Sequence, residues 1–247
     1  MLTTAHQAEV VTVPFRRSPM STGSQQSSLD QCFGDAPSRQ LKSNEPLFAE
    51  GDSKSNAYKI ECGAVLIYKI LNDGTRQIVS IAFSGDVIGL EAGDEHTYDA
   101  QTLAATRIRS MPVSVLWRRA APDAVLAKEL MQALSRDITD ARDHLLTIGR
   151  LCAIGRIATF LLSLVRRNER KGVDATNIVL PVRRSDIADF LCLSVETVSR
   201  ALTELKVSQV ISLRGWRQIR VRDRVMLERL AAGEVHIDGD KHLRRAA

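Results

Sequence analysis

The sequence predicts an α+β chain: an N-terminal antiparallel β-roll of the jelly-roll kind, a long dimerisation helix and a C-terminal winged helix-turn-helix. Three observations lead there. Short β-rich runs separated by glycine turns fill residues 41–111. A heptad of apolar residues runs through 123–152. Two short amphipathic segments joined by a tight turn occupy 183–206, and alternating residues around Gly215-Trp216 follow them. At 247 residues, 44% hydrophobic and 26% charged, the chain has material for two modest domains. No apolar run approaches the length of a membrane span, and the N-terminus lacks the basic start and apolar core of a secretory signal. The expected location is therefore cytoplasmic, with no membrane partner.

Residues 1–38 include SPMSTGSQQSS and almost no apolar periodicity, the composition of a segment that cannot offset its own ordering entropy, and a disordered tail is expected. Arg16 and Arg17 in acid-poor surroundings also suit an organellar transit peptide, a reading that needs a eukaryotic source. Across 39–120, GDSKSN, NDGT and SGD punctuate the runs GAVLIYKIL, RQIVSIAF and VIGL, and Asp73-Gly74 marks a hairpin between 65–71 and 77–83. Across 121–149, Ala127, Met131, Leu134, Ile138, Ala141, Leu145 and Ile148 alternate spacings of four and three, and Cys152 continues the seam. With Arg136, Asp137, Asp140, Arg142 and Asp143 beside it, this seam suits two copies paired as a parallel coiled coil. The other reading is a core helix facing its own β-roll. The second domain, 150–232, opens with the apolar-faced helix GRLCAIGRIATFLLSLVRR and continues with a short strand at IVLPV. Then come the helix-turn-helix, a two-stranded wing in VISLRGWRQIRVR and a last helix at 223–232, before a frayed tail at 233–247.

Within 183–206, Ser185 can cap the first helix and Ser194 the second, since each hydroxyl precedes an apolar-periodic run. Ile187, Ala188, Leu191, Leu193, Val195, Val198, Leu202 and Leu205 supply the buried seam. That leaves Glu196, Ser199 and Arg200 outward at i, i+3 and i+4, at the helix end that such a motif presents to base edges. Arg can donate a bidentate pair to guanine, Glu can accept from the cytosine amino group and Ser suits either edge, whereas the bland alternative is an i,i+4 ion pair on a solvated face. Between 181 and 222 eight Arg and Lys (183, 184, 200, 206, 214, 217, 220, 222) stand against four acids (186, 189, 196, 204), a local +4. Double-stranded DNA is the partner this favours, with Arg183, Arg184, Ser185, Ser194, Thr197, Arg214 and Arg217 as phosphate contacts.

The segment LSVETVSRALTELKVSQVI resembles the E-x-x-S-R recognition helix of the Crp/Fnr superfamily of bacterial regulators, in its FixK-like branch, and the resemblance extends over about residues 40 to 230. It implies that Glu196, Ser199 and Arg200 read TTGA-type half-sites, and that the chain pairs as a homodimer through Met131, Leu134, Ile138, Ala141, Leu145 and Ile148. It implies also that the hairpin near 72–77 touches RNA polymerase through Asp73 and Arg76. The regulated genes would be those of microaerobic respiration, denitrification or nitrogen fixation. Two positions depart from the family. Gly155 stands where an acid is usual. Cys192 fills the helix-to-helix turn where Gly is usual, a place that needs φ > 0, and its thiol beside DNA makes it a candidate redox switch.

No cofactor is expected. Cyclic-nucleotide members resemble this chain with a ribose-binding Glu where Leu90 stands and an Arg-Ser pair where Tyr98-Asp99 precede Ala100, and a carboxylate there repels a phosphate. Oxygen-sensing members need three N-terminal cysteines and a fourth late in the β-roll, whereas here Cys32 is alone and Arg109 lies in the segment where the fourth would fall. Cys62, Cys152 and Cys192 form no C-x-x-C pair, and His6, His96 and His144 are isolated and expected at the surface, so no metal site is suggested. A haem- or small-molecule-gated regulator and a β-roll module acting through protein contacts remain the rival readings. No catalytic grouping suggests an enzyme.

Overall fold

The computed structural model describes residues 27–180, 182–215 and 217–237. Two four-stranded antiparallel sheets make the β-roll. One orders β1 (Ser38–Leu41), β8 (Thr106–Pro112), β3 (Asn56–Cys62) and β6 (Val87–Ile88). The other orders β2 (Pro46–Phe48), β7 (Asp99–Thr102), β4 (Ala64–Ile70) and β5 (Arg76–Phe83). Strand alternation turns Leu41, Ile60, Val65, Ala82, Ile88, Ala100 and Ile108 into the space between them, where Phe48, Tyr58 and Ile67 also pack. The β4–β5 hairpin forms where Asp73-Gly74 predicts it. Gly74 takes φ +82°, its N–H donates to Leu71 O at 2.9 Å, and the Asp73 carboxylate accepts the Thr75 N–H at 2.9 Å.

The expected disordered tail is corrected over its last third. Residues Ser28–Gly34 form a helix, α1, that buries Leu29, Cys32 and Phe33, while 1–26 lie outside the described residues. Seven residues are too few to show a helical period, and the partners that hold them are remote in sequence. Glu129 accepts the N–H groups of Ser28 (3.2 Å) and Leu29 (2.7 Å), Arg119 donates to Cys32 O (2.7 Å), Arg109 to Ala36 O (2.9 Å), and Lys59 pairs with Asp30. Arg109 thus fastens the N-terminal helix. The expectation of surface histidines is corrected as well. His96 is 2% exposed, stacked on Phe48 with Nδ1 3.0 Å from Glu91 Oε1, and half-buried His144 stacks on Phe190 at 4.1 Å. His6 lies outside the described residues.

After α2 (Val113–Ala120), Asp123 caps α3 (Ala124–Arg150) by accepting from Val125 and Leu126 N–H at 2.9 and 3.0 Å. Leu126 and Leu130 bury the start of α3 against α1 and α2. Beyond them its apolar stripe is uncovered in the single chain: Met131, Ile138 and Leu145 are 66, 53 and 65% exposed, Ala141 is exposed, and Leu134 and Ile148 are partly so. Among the described residues no helix is long and apolar enough to cross a membrane.

Extended backbone at Leu151 and Cys152 separates α3 from α4 (Ala153–Arg170). Gly155 lies where α4 meets α7 (Arg224–Ala231); a Cβ there would stand 3.2 Å from both Leu151 Cβ and Leu230 O, so a side chain would fit only if these neighbours gave by a few tenths of an ångström. The reader module adds β9 (Asn177–Val179), α5 (Arg184–Leu191), α6 (Val195–Val207), β10 (Ile211–Arg214) and β11 (Gln218–Val221), with sheet order β10-β11-β9. The wing therefore has a third strand, supplied by the IVLPV segment. Its core of Ile157, Leu161, Ile187, Leu191, Val198, Leu202, Leu205 and Ile219 runs without a break into Leu66, Ile78, Ile81 and Leu103 of the β-roll. The expected frayed tail is corrected where Val235 and Ile237 pack on this core; 238–247 and Trp216 lie outside the described residues.

Candidate nucleic-acid interface

The reading face is built by two helix starts and the turn between them. Ser194 caps α6, its hydroxyl accepting the Thr197 N–H at 3.1 Å and lying 3.0 Å from Thr197 Oγ1. Ser185 does not cap α5. The helix starts two residues earlier than such a cap implies, Arg183 stands at the cap position, and Asp186 reaches back to accept the Arg183 N–H at 3.0 Å. With the helix already begun at Arg184, Ser185 lies inside the first turn, and the Asp186 carboxylate at the third helical position satisfies the cap residue's N–H instead. Between the helices Cys192 takes φ 54°, ψ 51°, the left-handed conformation its place in the turn demands, and its side chain is exposed. Arg156 braces this turn from α4, donating to Leu191 O (3.1 Å), Cys192 O (3.3 Å) and, through Nε, to Leu151 O (2.9 Å).

Glu196 and Arg200 are exposed and Ser199 is half-buried on one face of α6. The Glu196 carboxyl is held below the usual range by its own N–H at the helix start, then by the Ser194 hydroxyl and the charge of Arg200. It is therefore an acceptor. Arg184 donates to Ser199 Oγ at 3.0 Å, so one expected phosphate contact and one expected base reader touch each other in the free protein. Val195 is corrected: it stands 42% exposed at the first position of α6, outside the buried seam. An apolar group beside Glu196 at that end is the kind that contacts a thymine methyl. The reading by period missed it because an apolar residue opening an amphipathic helix was assigned to the core.

In the same module Arg183 and, in or beside the wing, Arg214, Arg217, Arg220 and Arg222 are exposed. Two features lie elsewhere. Asp73 is at the exposed tip of the β4–β5 hairpin, whereas the Arg76 side chain is ion-paired to Asp186 and Asp189 of α5 at 2.8 and 2.6 Å. Among the described residues no group of three or more His, Cys, Asp or Glu side chains could hold a metal ion.

A capped helix pair followed by a three-stranded wing, joined to a β-roll by a long helix, is matched in two places by known families. Residues 155–230 match the Crp-like helix-turn-helix domain, and residues 38–121 match the cyclic nucleotide-binding domain. The chain belongs to the Crp/Fnr family. It is 38% identical over 188 residues to the nitrogen fixation regulation protein FixK of Azorhizobium caulinodans, covering 76% of each chain. To FixK of Rhizobium meliloti it is 39% identical over 178 residues, which is 72% of this chain and 79% of that one. The structure of FixK2 from Bradyrhizobium japonicum superposes with a TM-score of 0.73 at 37% identity, covering 79% of this chain and 96% of that one. The chain is thus a Crp/Fnr-type DNA-binding transcription regulator.

The cyclic-nucleotide ligand that this β-roll family implies does not fit these residues. The loop from 90 to 100 contains no Arg or Lys. The Asp99 carboxylate there accepts the Glu50 N–H at 3.1 Å, and Glu91 turns its Oε1 to His96. A cyclic phosphate would meet acceptors where it needs paired donors.

Proposed function

We propose that this Crp/Fnr regulator works in the cytoplasm as a homodimeric activator that reads TTGA-type palindromes. Its targets would be genes of microaerobic respiration, denitrification or nitrogen fixation, and its β-roll requires no small-molecule ligand. The observation that carries the reading is the face of α6: Glu196, Ser199 and Arg200, with Val195 beside them, at a capped helix start in a module that also exposes Arg183, Arg214 and Arg217. An acceptor, a hydroxyl, a bidentate donor and a methyl-bearing side chain form a set suited to a half-site that mixes C·G with A·T pairs. The uncovered stripe of α3 supports pairing, which a palindrome requires. The exposed tip at Asp73 is the hairpin's candidate contact with RNA polymerase. Arg76, engaged with α5, is not offered for that role.

The test is fluorescence anisotropy of the purified ligand-free protein against a TTGA-type palindrome and a scrambled duplex. Preference for the palindrome without additives is expected. Binding that appears only after a small molecule or haem is supplied would point to a gated regulator. Equal weak binding to both duplexes would sink the reading.

A further inference from the structure

The β4–β5 hairpin and α5 belong to different domains, yet side chains of the hairpin join them, Arg76 foremost. Arg76 Nη2 lies 2.8 Å from Asp186 Oδ1 and 2.6 Å from Asp189 Oδ2, and Nε lies 3.0 Å from the same Asp189 oxygen. Next to it Gln77 Nε2 donates to Asp189 O at 2.8 Å, and Cys192 Sγ is 3.7 Å from Gln77 Oε1, so the clasp reaches the reader's turn. Asp186 is the pivot. It is 4% exposed, and its two oxygens are divided: Oδ2 holds the start of α5 through the Arg183 N–H, and Oδ1 receives Arg76. A carboxylate so buried needs a partner for each oxygen, and here one of the two comes from the other domain. Asp189, three residues on, puts a second carboxylate on the same face of α5. Behind the clasp Leu66, Ile78 and Ile81 share one apolar core with the reader module, and Arg167 grips Asp86 through both nitrogens at 3.0 and 2.9 Å.

We infer that Arg76 is a positioning residue for DNA reading: it clamps the first helix of the reader to the β-roll, fixing the separation and attitude of the two recognition helices in a dimer without a small molecule. The inference rests on α6 being the DNA reader. It has an electrostatic side too, because Asp186 and Asp189 flank a phosphate-facing module and would repel DNA if left unpaired. Freed from the clamp, the reader would spend only a fraction of its time in the docked attitude, and apparent affinity falls by that fraction.

The experiment titrates the full-length protein, Arg76→Ala, Asp189→Ala and the double variant against three duplexes. These are the TTGA-type palindrome, the same half-sites with the spacer lengthened by a couple of base pairs, and a scrambled sequence. The wild type is expected to prefer the palindrome and to reject the lengthened spacer. Arg76→Ala should weaken palindrome binding about tenfold if the docked population falls to about a tenth, and should lose much of the spacing preference. Asp189→Ala removes part of the clamp without stranding Asp186, so it should show a smaller change of the same kind, and the double variant should be no worse than Arg76→Ala alone. Tolerance of spacing separates a lost clamp from general damage, which would weaken all duplexes and leave the preference intact. If both single variants keep wild-type affinity, or lose affinity while staying strict about spacing, the inference is wrong. If the wild type itself does not distinguish the palindrome from the scrambled duplex, the DNA reading falls first and the inference with it.

Discussion

Replacing Ile138 by glutamate is expected to dissociate the proposed dimer, and the size of the effect follows from the uncovered stripe of α3. Met131, Ile138 and Leu145 are 66, 53 and 65% exposed in the single chain. Full burial of such a side chain is worth about 1.5–3 kcal/mol, so covering the remaining half to two-thirds contributes about 1–2 kcal/mol each. Over both helices that makes roughly 6–12 kcal/mol, of the same order as the ~4–15 kcal/mol that association costs. The seam therefore has little to spare. Because an isologous pairing sets each seam residue near its own copy, the substitution brings two carboxylates together while removing two isoleucines. At about 6 Å and an effective dielectric near 20 the repulsion is roughly 3 kcal/mol, and the lost burial adds about 2–4 kcal/mol. Together these raise the dimer dissociation constant by about three decades or more. Sedimentation velocity at micromolar concentration should show a monomer, and anisotropy should show the palindrome bound no better than an isolated half-site. An Ile138→Glu protein that still sedimented as a dimer would show that the stripe is not the seam.

At the reading face, Arg200→Ala should cost about 1–3 kcal/mol of discrimination at one base position, measured by titrating singly substituted palindromes. Arg214→Ala should instead weaken all duplexes alike and lower the slope of log K against log salt by about 0.9. Cys192→Ser should keep DNA binding in peroxide while the parent loses it, since oxidation adds bulk or charge to an exposed thiol beside the Gln77 contact; equal sensitivity of both proteins would dismiss the switch. Burial against Phe190 pulls the His144 imidazole below its ordinary 6.5, opposed by a hydrogen bond with the Phe190 backbone. Below that pH the unfolded chain binds the extra proton, so the stability His144 contributes is complete above about 6.5 and declines as pH falls through it. His144→Phe should flatten the fall of the denaturation midpoint between neutral and mildly acid pH.

What was legible in the sequence was whatever a local period or a local turn determines. The hairpin at Asp73-Gly74, the heptad of α3 and the triplet Glu196, Ser199 and Arg200 each depend on residues a few positions apart; the hairpin and the two helices form where they were read, with Glu196 and Arg200 exposed and Ser199 half-buried. Cys192 was legible for a different reason: a turn that needs φ > 0 imposes it on whichever residue occupies the place. The failures share a cause. Helix α1 depends on Glu129, Arg119, Arg109 and Lys59, and the Ser185 cap gave way to Asp186, a residue whose second oxygen is held from the other domain. Val195 looked like core because composition shows that a residue is apolar, not whether anything covers it.

Arg76 shows how this bears on function. Counted along the chain, 181–222 carries eight cations and four acids, a local +4, but two of those acids, Asp186 and Asp189, already share a cation from outside the segment. The helix-turn-helix and wing are therefore more positive than their own residues indicate: eight plus Arg76 against four gives +5. The same guanidinium that strengthens the field toward DNA also fixes the helix bearing those acids against the β-roll. Attraction of the polyanion and attitude of the reader are thus coupled through one side chain. A change at the hairpin that pulled Arg76 away would weaken both together, which gives a protein contact at the nearby Asp73 tip a direct physical route to the DNA-reading helix.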